Sequence, residues 1–520
     1  MRDSLAYGSW PSPLDAETVA AGGVDFGHVA LDGETAYWLE RRPDEGGRGA
    51  VVRQAPGGDA VDVTPADGNV RTLVHEYGGA DFAVQDDTVV YARFADQRLY
   101  RTDADGETGP IPLTPDPPEE RSARYADIEF APDGTRVYCV RERHHGEDAA
   151  GEPVSELVTL ELDDGSDEPA SPTVVAAGRD FYSFPRLSPG GDRLAWTTWD
   201  HPNMPWDGTE LHVADVGEDG SLSAVETVAG GPEESVFQPA WSPGGDLYAV
   251  SDRTGWWNLY RVAGARRSDT GGDGDSDGDE RELVAVREDA AEYGVPQWVF
   301  GLSTYAFLPD GRIAAVRRDG DRQSFGILDP ETGAFAARDG IAAAGGVFPH
   351  TRLRADGDTL LAVVGGPSDP PGVVRWSPGE SPTVLRRAHD LAVDEASLPE
   401  PETVTFPTGP DGGERAHAYV YPPRNPNAPL LVLQGGEDRV VPPAQADDMV
   451  EALVDDGVPY AYVEFEAERH GFRRAASRRR ALEDELGFYA AVFGFEPADV
   501  EPLALDRGSY RKRSVPPADE

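Results

Sequence analysis

The stretch IEFAPDGTRVYCV (residues 128–140) contains an apolar segment, a Pro-Asp-Gly turn and a second segment in which apolar residues alternate. Alternation with a period of two around a turn rich in Gly and Asp is typical of a β-hairpin. The same phrase occurs seven times along the chain. The other six instances are HVALDGETAYWLE (28–40), FAVQDDTVVYAR (82–93), PRLSPGGDRLAWT (185–197), PAWSPGGDLYAVS (239–251), YAFLPDGRIAAVR (305–317) and TRLRADGDTLLAV (351–363).

The spacing of these phrases predicts a repeated β architecture. Successive turns are about 45–65 residues apart, which is the length of one four-stranded blade of a β-propeller. Seven phrases therefore predict a seven-bladed β-propeller that ends near residue 390; a β-sandwich with hairpins that are similar by chance is the alternative. The widest interval contains RRSDTGGDGDSDGDER (266–281), which has no apolar residue to bury and predicts a disordered loop.

The pattern changes after residue 390, where strands begin to alternate with helices. Such alternation indicates an α/β layer with parallel strands. We therefore predict an N-terminal segment and propeller over residues 1–390 and an α/β layer over 391–520, with a loose tail at 506–520. The predicted elements of the layer are a hairpin in ETVTFPTGPDGGERAHAYVYPP (402–423), strands at 430–433 and 460–465, and helices at about 443–457 and 475–492.

Net charge narrows the classes of partner. The chain has 95 Asp and Glu against 46 Lys and Arg, a formal net charge of −49 that is spread along its whole length. Nucleic acids and anionic membranes bind proteins through Lys and Arg, so we expect neither as a partner. Because so much like charge repels itself unless salt screens it, we expect a halophilic protein whose stability rises with salt concentration.

The number of cysteines and the hydropathy of the sequence help to predict the cellular compartment. Cys139 is the one cysteine, so no intrachain disulfide can form. The first residues, MRDSLAYGSWPSPLDAE, lack the apolar core of a signal peptide, and no run of 18 apolar residues occurs. We expect a cytoplasmic protein. His144 and His145 lack neighbours at metal-ligand spacing, and we expect neither a metal nor a cofactor.

Two segments of the layer carry residues suited to acyl-transfer chemistry. PLLVLQGGEDRVVPPAQADDM (429–449) presents Asp438 after a strand and a Gly turn, and YVEFEAERHGF (462–472) presents His470 after the next strand. Strand-turn-Asp followed by strand-loop-His is how α/β-hydrolases position the acid and the base of a catalytic triad. The sequence therefore indicates Asp438 and His470 as a catalytic acid and base.

No nucleophile accompanies this pair. A hydrolase serine sits on a G-x-S-x-G elbow between a buried strand and a helix, with oxyanion donors close by. The one G-x-S-x-G match surrounds Ser276 inside the acidic tract, where no strand or helix is predicted and two carboxylates would oppose an oxyanion. Ser477, on a helix, and Ser509, in the tail, also lack an elbow. We therefore expect no nucleophilic serine.

Specific phrases occur along nearly the whole chain: YGSWPSP (7–13), RTLVHEYGG (71–79), WDHPNMPWDGTEL (199–211), SDRTGWWNLYRV (251–262), PQWVFGLSTYAF (296–307), GGEDRVVPP (435–443) and ERHGF (468–472). With these phrases, the chain resembles the prolyl oligopeptidase family of serine peptidases, in particular its acylaminoacyl-peptidase and dipeptidyl-peptidase-like branch. The resemblance implies hydrolysis of peptide bonds in short peptides through an acyl-enzyme, with the propeller excluding folded proteins. It also implies Asp438 as the triad acid and His470 as the base.

The chain departs from the family pattern after Tyr421-Pro422-Pro423. The family's oxyanion loop and Gly-rich elbow belong between this point and the strand before the acid, yet residues 429–433 follow almost at once. That strand could be either the one before the oxyanion loop or the one before the acid. We therefore expect a truncated α/β-hydrolase layer that is small, imperfect, aggregation-prone and inactive. The alternatives are a propeller that binds peptides or associates with an intact family member, and a decayed gene with no function.

Aromatic and histidine motifs of the propeller allow two interpretations. The segment His75-Glu76-Tyr77-Gly78-Gly79 could line a pocket or form a turn that connects blades. The pairs Trp256-Trp257 and Trp199/Trp206 are better explained by blade packing than by stacking on a ligand, because cores routinely use large aromatic side chains.

Overall fold

The computed structural model describes most of the chain. The described residues are 23–106, 109–144, 152–162, 169–263, 283–320, 322–338, 352–366, 370–389, 402–408, 414–420, 429–438, 441–468, 472, 475–497 and 500–516. The tract at 266–281 and Ser276 lie outside them, so the predicted loop stays a prediction.

Seven antiparallel sheets of four consecutive strands form the blades of a β-propeller, which confirms the predicted fold. Each of the seven phrases supplies the first two strands of one blade. The first four blades comprise β1 Asp25–Asp32, β2 Thr35–Arg42, β3 Arg48–Gln54 and β4 Val61–Asp62; β5 Phe82–Gln85, β6 Thr88–Ala92, β7 Leu99–Asp103 and β8 Ile111–Pro112; β9 Ala123–Phe130, β10 Arg136–Arg143, β11 Val154–Glu161 and β12 Thr173–Ala177; and β13 Phe181–Leu187, β14 Arg193–Trp199, β15 Glu210–Val216 and β16 Leu222–Gly230.

The remaining three blades repeat this order, and a short 3-10 helix at Pro43–Glu45 interrupts the first blade. The strands are β17 Val236–Trp241, β18 Leu247–Ser251, β19 Asn258–Val262 and β20 Leu283–Ala285; β21 Tyr305–Phe307, β22 Ile313–Asp319, β23 Arg322–Leu328 and β24 Phe335–Ala337; and β25 Leu353–Asp356, β26 Thr359–Val364, β27 Gly372–Trp376 and β28 Thr383–Arg387.

The strand β10 shows why the phrase specifies a blade. Its alternate residues face opposite neighbours: Val137 and Cys139 pack in one core cluster, with residues of the second blade, whereas Tyr138 and Val140 pack in another, with residues of the fourth. Since a blade lies between two others, both faces of its middle strands are apolar. Cys139 is fully buried there, and burial raises the pKa of its thiol to about 12.

Side-chain packing between the first and last blades closes the ring. Each blade contains only its own four consecutive strands, so no strand of the first blade pairs into the sheet of the seventh, or the reverse. Instead, Trp38 and Val29 of the first blade share a core cluster with Leu361 and Val363 of the seventh. The Val24 N–H also donates to the Ala388 carbonyl at 2.7 Å.

A smaller unit contains the α/β layer. It contains three strands and two helices along the chain: β31 Leu430–Gly435, α1 Pro443–Asp455, β32 Tyr460–Phe465, α2 Ala475–Phe493 and β33 Arg513–Val515. The strands pair in parallel in the order β31-β32-β33. Val432 and Tyr462 pack with α1, whereas Leu433 and Val463 pack with α2, so the two helices cover opposite faces of the sheet.

The strand β33 corrects one prediction. Residues 506–520 were expected to be a loose tail, but Arg513–Val515 pairs in parallel with β32. The Lys512 ammonium lies 2.9 Å from a Glu464 carboxylate oxygen, and the Arg511 N–H donates to the Tyr460 hydroxyl at 2.6 Å. These contacts hold the segment against the sheet.

The chain divides into two compact units. The larger contains the propeller together with Thr403–Tyr419, most of the hairpin formed by β29 Glu402–Thr408 and β30 Glu414–Val420. The smaller contains the three-stranded sheet and both α-helices. None of the helices in the described residues is long and apolar enough to cross a membrane.

Candidate active site and propeller channel

Asp438 lies in the turn that follows β31. The Asp438 N–H donates to the Gly435 carbonyl at 3.2 Å, and its Oδ1 accepts the Val441 N–H at 2.9 Å, which links both sides of the turn. Gly436 permits this path, because a Cβ there would lie 3.0 Å from the backbone of Glu466. The carboxyl group is therefore held by backbone and only 8% of the residue is exposed.

The loop after β32 lies beside this turn. The Gly436 N–H donates to the Phe465 carbonyl at 2.8 Å, and the Glu437 N–H donates to the Glu468 carbonyl at 2.9 Å. The carboxyl ends of parallel strands meet at one edge of a sheet, which is where α/β folds place their sites. His470 itself lies outside the described residues, so its pairing with Asp438 stays a prediction.

The two serines of the layer occupy positions unsuited to a nucleophile. Ser477 lies within α2 rather than at a turn between a strand and a helix. Ser509 is exposed, and its carbonyl accepts the Tyr460 hydroxyl at 2.7 Å. Neither serine has the strained strand-to-helix turn that a hydrolase elbow requires.

The His75 segment connects blades, which favours one of its two interpretations. The His75 ring lies 4.6 Å from Phe300, 5.2 Å from Phe181 and 5.5 Å from Trp199, measured between centroids. The backbone N–H of His75 donates to the Glu142 carboxylate at 2.9 Å. This burial lowers the pKa of the imidazole. His75 thus acts as part of an aromatic core between blades.

Of the predicted blade-packing tryptophans, Trp199 and Trp257 pack within blades, whereas Trp256 is 39% exposed and Trp206 lies beside Trp298, with 4.5 Å between the ring centroids. His144 lies 3.0 Å from Glu142, and the described residues contain no cluster that could hold a metal. Trp199 stacks on Phe181 at 5.1 Å, and Trp257 on Phe237 at 6.2 Å. His145 lies outside the described residues.

A channel of about 440 Å³ runs along the first strands of the blades. It extends from His28 to Pro189 and Pro243, which belong to the turns after β13 and β17. Bulges shape its wall: Asp127 and Gln238 have positive φ angles, 54° and 50°, where β9 and β17 shift register. The bulges turn both side chains toward the neighbouring blade, where Asp127 accepts the Phe184 N–H and Gln238 accepts the Thr304 N–H, each at 2.7 Å.

Two segments cross one end of this channel. Gly79, before the second blade, forms a parallel bridge with Phe300, before the sixth. The segment around Phe300 also reaches the fourth blade, where Gln297 donates to the Ser183 hydroxyl at 2.5 Å. Since these blades are not adjacent, the segments span the axis of the ring. A Cβ on Gly79 would lie 2.4 Å from the Phe300 carbonyl oxygen, so the crossing requires glycine.

Charged residues of the channel are the feature that sequence reasoning missed. Glu129, Arg186 and Arg354 line it, each on the first strand of a blade. The available signal was a charged residue inside an otherwise apolar phrase, as in IEF (128–130) and RLR (352–354). First strands of a propeller surround the axis, so such residues converge.

Comparisons with known proteins relate the chain to peptidases. A model of the prolyl oligopeptidase family matches residues 381–496. The structure of a puromycin-hydrolysing peptidase from Mycobacterium tuberculosis is 30% identical, with a TM-score of 0.73 over 96% of this chain and 99% of that one. A puromycin hydrolase structure is 28% identical, with a TM-score of 0.72 over the same shares.

A prolyl endopeptidase structure agrees in fold alone, with 15% identity and a TM-score of 0.54 over 83% of this chain and 60% of that one. No curated protein matches the chain.

Proposed function

Because the chain belongs to the prolyl oligopeptidase family, we propose that it derives from a serine peptidase, has lost the peptidase reaction and keeps a propeller that binds short peptides. The proposal treats the α/β layer as a hydrolase domain with an internal deletion. The deletion removed the nucleophile and the oxyanion loop but left the acid and the base.

The length of one connection carries this proposal. β30 ends at Val420 and β31 begins at Leu430, so only the nine residues 421–429 join the hairpin to the strand before Asp438. An elbow needs a buried strand, a tight turn and a helix, and a helix alone averages about 11–12 residues. Nine residues that include Pro422, Pro423 and Pro426 cannot supply all three.

The chemistry then lacks its first step. In a triad, the imidazole removes a proton from a serine hydroxyl, and the carboxylate orients the imidazole and stabilises its charged form. An enzyme without a triad member still accelerates hydrolysis about 10³–10⁴-fold, through its oxyanion hole and substrate binding. This chain has lost the loop that supplies the hole, so we expect no such residual rate.

A serine-directed fluorophosphonate probe tests the loss of activity. We expect no stoichiometric labelling of the pure chain, and no release of product from puromycin or from an aminoacyl-nitroanilide. The substrates are chosen because the similar structures are of puromycin-hydrolysing enzymes. Labelling that Ser276→Ala or Ser477→Ala abolishes, or turnover that His470→Ala abolishes, would identify a nucleophile and overturn the proposal.

The retained binding function is supported by the ring itself. All seven blades are present, and the channel that they surround has a volume within the range of small-molecule sites, about 300–1,000 Å³. Association with an intact family member is the second form that such a function could take. Co-purification of a full-length relative with the tagged chain would favour that form, whereas a monomer that binds peptides alone would favour the first.

A further inference from the structure

The charged groups around the channel are unevenly paired. Arg186 takes the nearby carboxylates: its Nη2 donates to Asp127 at 2.9 Å, and its Nη1 lies 3.8 Å from Glu129. Asp127 also accepts the Phe184 N–H, so both of its oxygens are engaged. Both carboxylates are therefore already paired with groups of the fourth blade.

Arg354, on the seventh blade, contacts only neutral acceptors. Its guanidinium donates to the Gly301 carbonyl at 3.0 Å, to the Leu353 carbonyl at 3.1 Å and to the Ser303 hydroxyl. It forms no ion pair with any residue that the structure describes. Its positive charge thus lies in the channel wall without a carboxylate in contact.

Arg352 and His28 are still less satisfied. Only 6% of Arg352 is exposed, and neither its Nε nor its Nη1 has a hydrogen-bond partner. His28, which lines the channel and is 8% exposed, has an unpartnered Nδ1. Buried polar groups in proteins are almost always hydrogen-bonded, so the unpartnered His28 Nδ1 marks this part of the channel wall as a site for a polar ligand. Arg352 does not line the channel but adds positive charge close to it.

The local charge is positive in a strongly acidic protein. Four guanidinium groups interact electrostatically within this cluster, against three carboxylates. Burial and the neighbouring Arg186 lower the pKa of Arg354 to about 9, and burial and Arg41 lower that of Arg352 to about 10. Such shifts mean that added negative charge would stabilise the cluster. The members are Arg41, Arg186, Arg352 and Arg354, with Asp81, Asp127 and Glu129.

The crossing segments give the site one accessible end. The bridge between Gly79 and Phe300 lies at the His28 end of the channel, since Ala80 and Leu302 line the wall there. A ligand would enter from the other end, past Pro189 and Pro243, and its leading group would reach the Arg354 guanidinium near the crossing segments.

We propose that the channel binds the free carboxylate of a short peptide, with Arg354 as the group that recognises it and Arg352 as a nearby positive charge that strengthens the attraction. A carboxylate matches the planar fork of a guanidinium and accepts two parallel hydrogen bonds from it. The channel volume of about 440 Å³ suits a peptide of a few residues. The inference deepens the binding half of the proposed function and does not depend on the loss of peptidase activity.

Titration calorimetry with N-acetyl-trialanine and with its C-terminal amide tests the proposal on the unmodified chain. The two ligands differ only in the carboxylate, so we expect the free acid to bind about tenfold more tightly or better. Acetate and inorganic phosphate form two further arms, which distinguish a peptide carboxylate from any small oxyanion. Because chloride competes for the same groups, the affinity of the free acid should fall as potassium chloride is raised.

Arg354→Gln sharpens the test. Glutamine can still donate a hydrogen bond to the Gly301 or Leu353 carbonyl, so the main loss is the charge. We expect the free acid to bind this variant no better than the amide does. Arg375→Gln is the matched control: Arg375 lies on β27 of the same blade and donates to the Glu34 carbonyl at 3.0 Å, away from the channel.

Three outcomes would overturn the inference. Equal binding of acid and amide would mean that the channel binds the peptide but does not recognise its carboxylate. Binding of phosphate or acetate without binding of the peptide would make the site one for a small anion only. Binding of none of the four ligands would remove both this inference and the binding half of the proposed function. The comparison of acid with amide needs no variant and stands even if Arg354→Gln fails to fold.

Discussion

The propeller and the α/β layer bury their apolar residues to different extents. In the propeller, the middle strands of each blade lie between two neighbours, and residues such as Trp38, Tyr91 and Leu361 are fully buried. In the layer, a much shorter part of the chain leaves nearly as many large apolar residues exposed. Those of the layer are Leu430, Val441, Met449, Leu482, Leu486, Tyr489, Phe493, Phe495 and Tyr510.

The difference follows from how the two architectures are built. A blade is formed by consecutive strands and contacts only its neighbours, so repetition completes the core from local units. A parallel sheet depends on flanking strands and crossover helices that lie far apart in sequence. If strands between the hairpin and β31 are missing, the surfaces that they covered stay exposed, whereas the ring loses nothing.

The largest expected effect comes from breaking the ring at its closure. Leu361→Ala removes a fully buried side chain that packs between the seventh and first blades. Cavity formation should lower the free energy of unfolding by about 2–5 kcal/mol. Tryptophan fluorescence measures this in the propeller, because nine of the ten tryptophans lie between Trp38 and Trp376.

Val384→Ala provides the control for this change. Val384 lies on β28 of the same blade but is 44% exposed, so its truncation should cost less than about 0.5 kcal/mol. Helical circular dichroism reports on the layer, since α1 and α2 are the only α-helices among the described residues. Equal effects of the two variants on the fluorescence transition would mean that side-chain packing does not close the ring.

Acid should weaken the propeller through its buried histidines. Burial lowers the pKa of His212 from 6.5 to about 4, and its ring is enclosed by Thr198, Thr227 and Trp196. The unfolded chain therefore takes up a proton near pH 6.5, whereas the folded chain does so only near pH 4. Stability is lost as pH falls through this window, by at most about 2 kcal/mol between pH 7 and pH 5.

Denaturant titrations at several pH values measure this contribution. His212→Gln should flatten the dependence of the unfolding free energy on pH between 7 and 5. Val384→Ala, which removes no ionisable group at an exposed position, should leave the dependence unchanged. If both variants show the slope of the unmodified chain, His212 does not titrate differently on folding.

What the sequence predicted well was local. Each hairpin phrase contains its own turn and alternation, so counting phrases was enough to count blades. The helix α1 begins at Pro443, and the chain turns away at Gly457, whose φ is 66°, as the residue types indicated.

What it could not predict depends on convergence in space. The role of His75 depends on aromatic residues from the fourth blade and from the segment before the sixth, which no local pattern identifies. Arg186 and Arg354 come together only because the ring brings their blades to one axis. The strand β33 is three residues long and is fixed by contacts with Tyr460 and Glu464 rather than by its own composition.

The smallest effect on stability, and the sharpest test of the layer, concerns one face of α2. Leu482, Leu486, Tyr489 and Phe493 recur every three or four residues along the helix and are between 39% and 66% exposed. This spacing places them in one apolar stripe. Exposed stripes of this kind drive association, so we expect the pure chain to self-associate as its concentration rises, most strongly in molar salt.

Replacing Leu482 and Leu486 together by glutamine should reduce this association without unfolding the helix, because both side chains already face solvent. Sedimentation velocity over a range of concentrations measures the change. Arg479→Gln, at a position on the same helix where the side chain is 79% exposed, should leave association as it was. A chain that stays monomeric at every concentration, or a double variant that associates as strongly as the original, would mean that the apolar stripe of α2 does not drive association. The proposal of an internal deletion in the layer would then rest on the short connection between β30 and β31 alone.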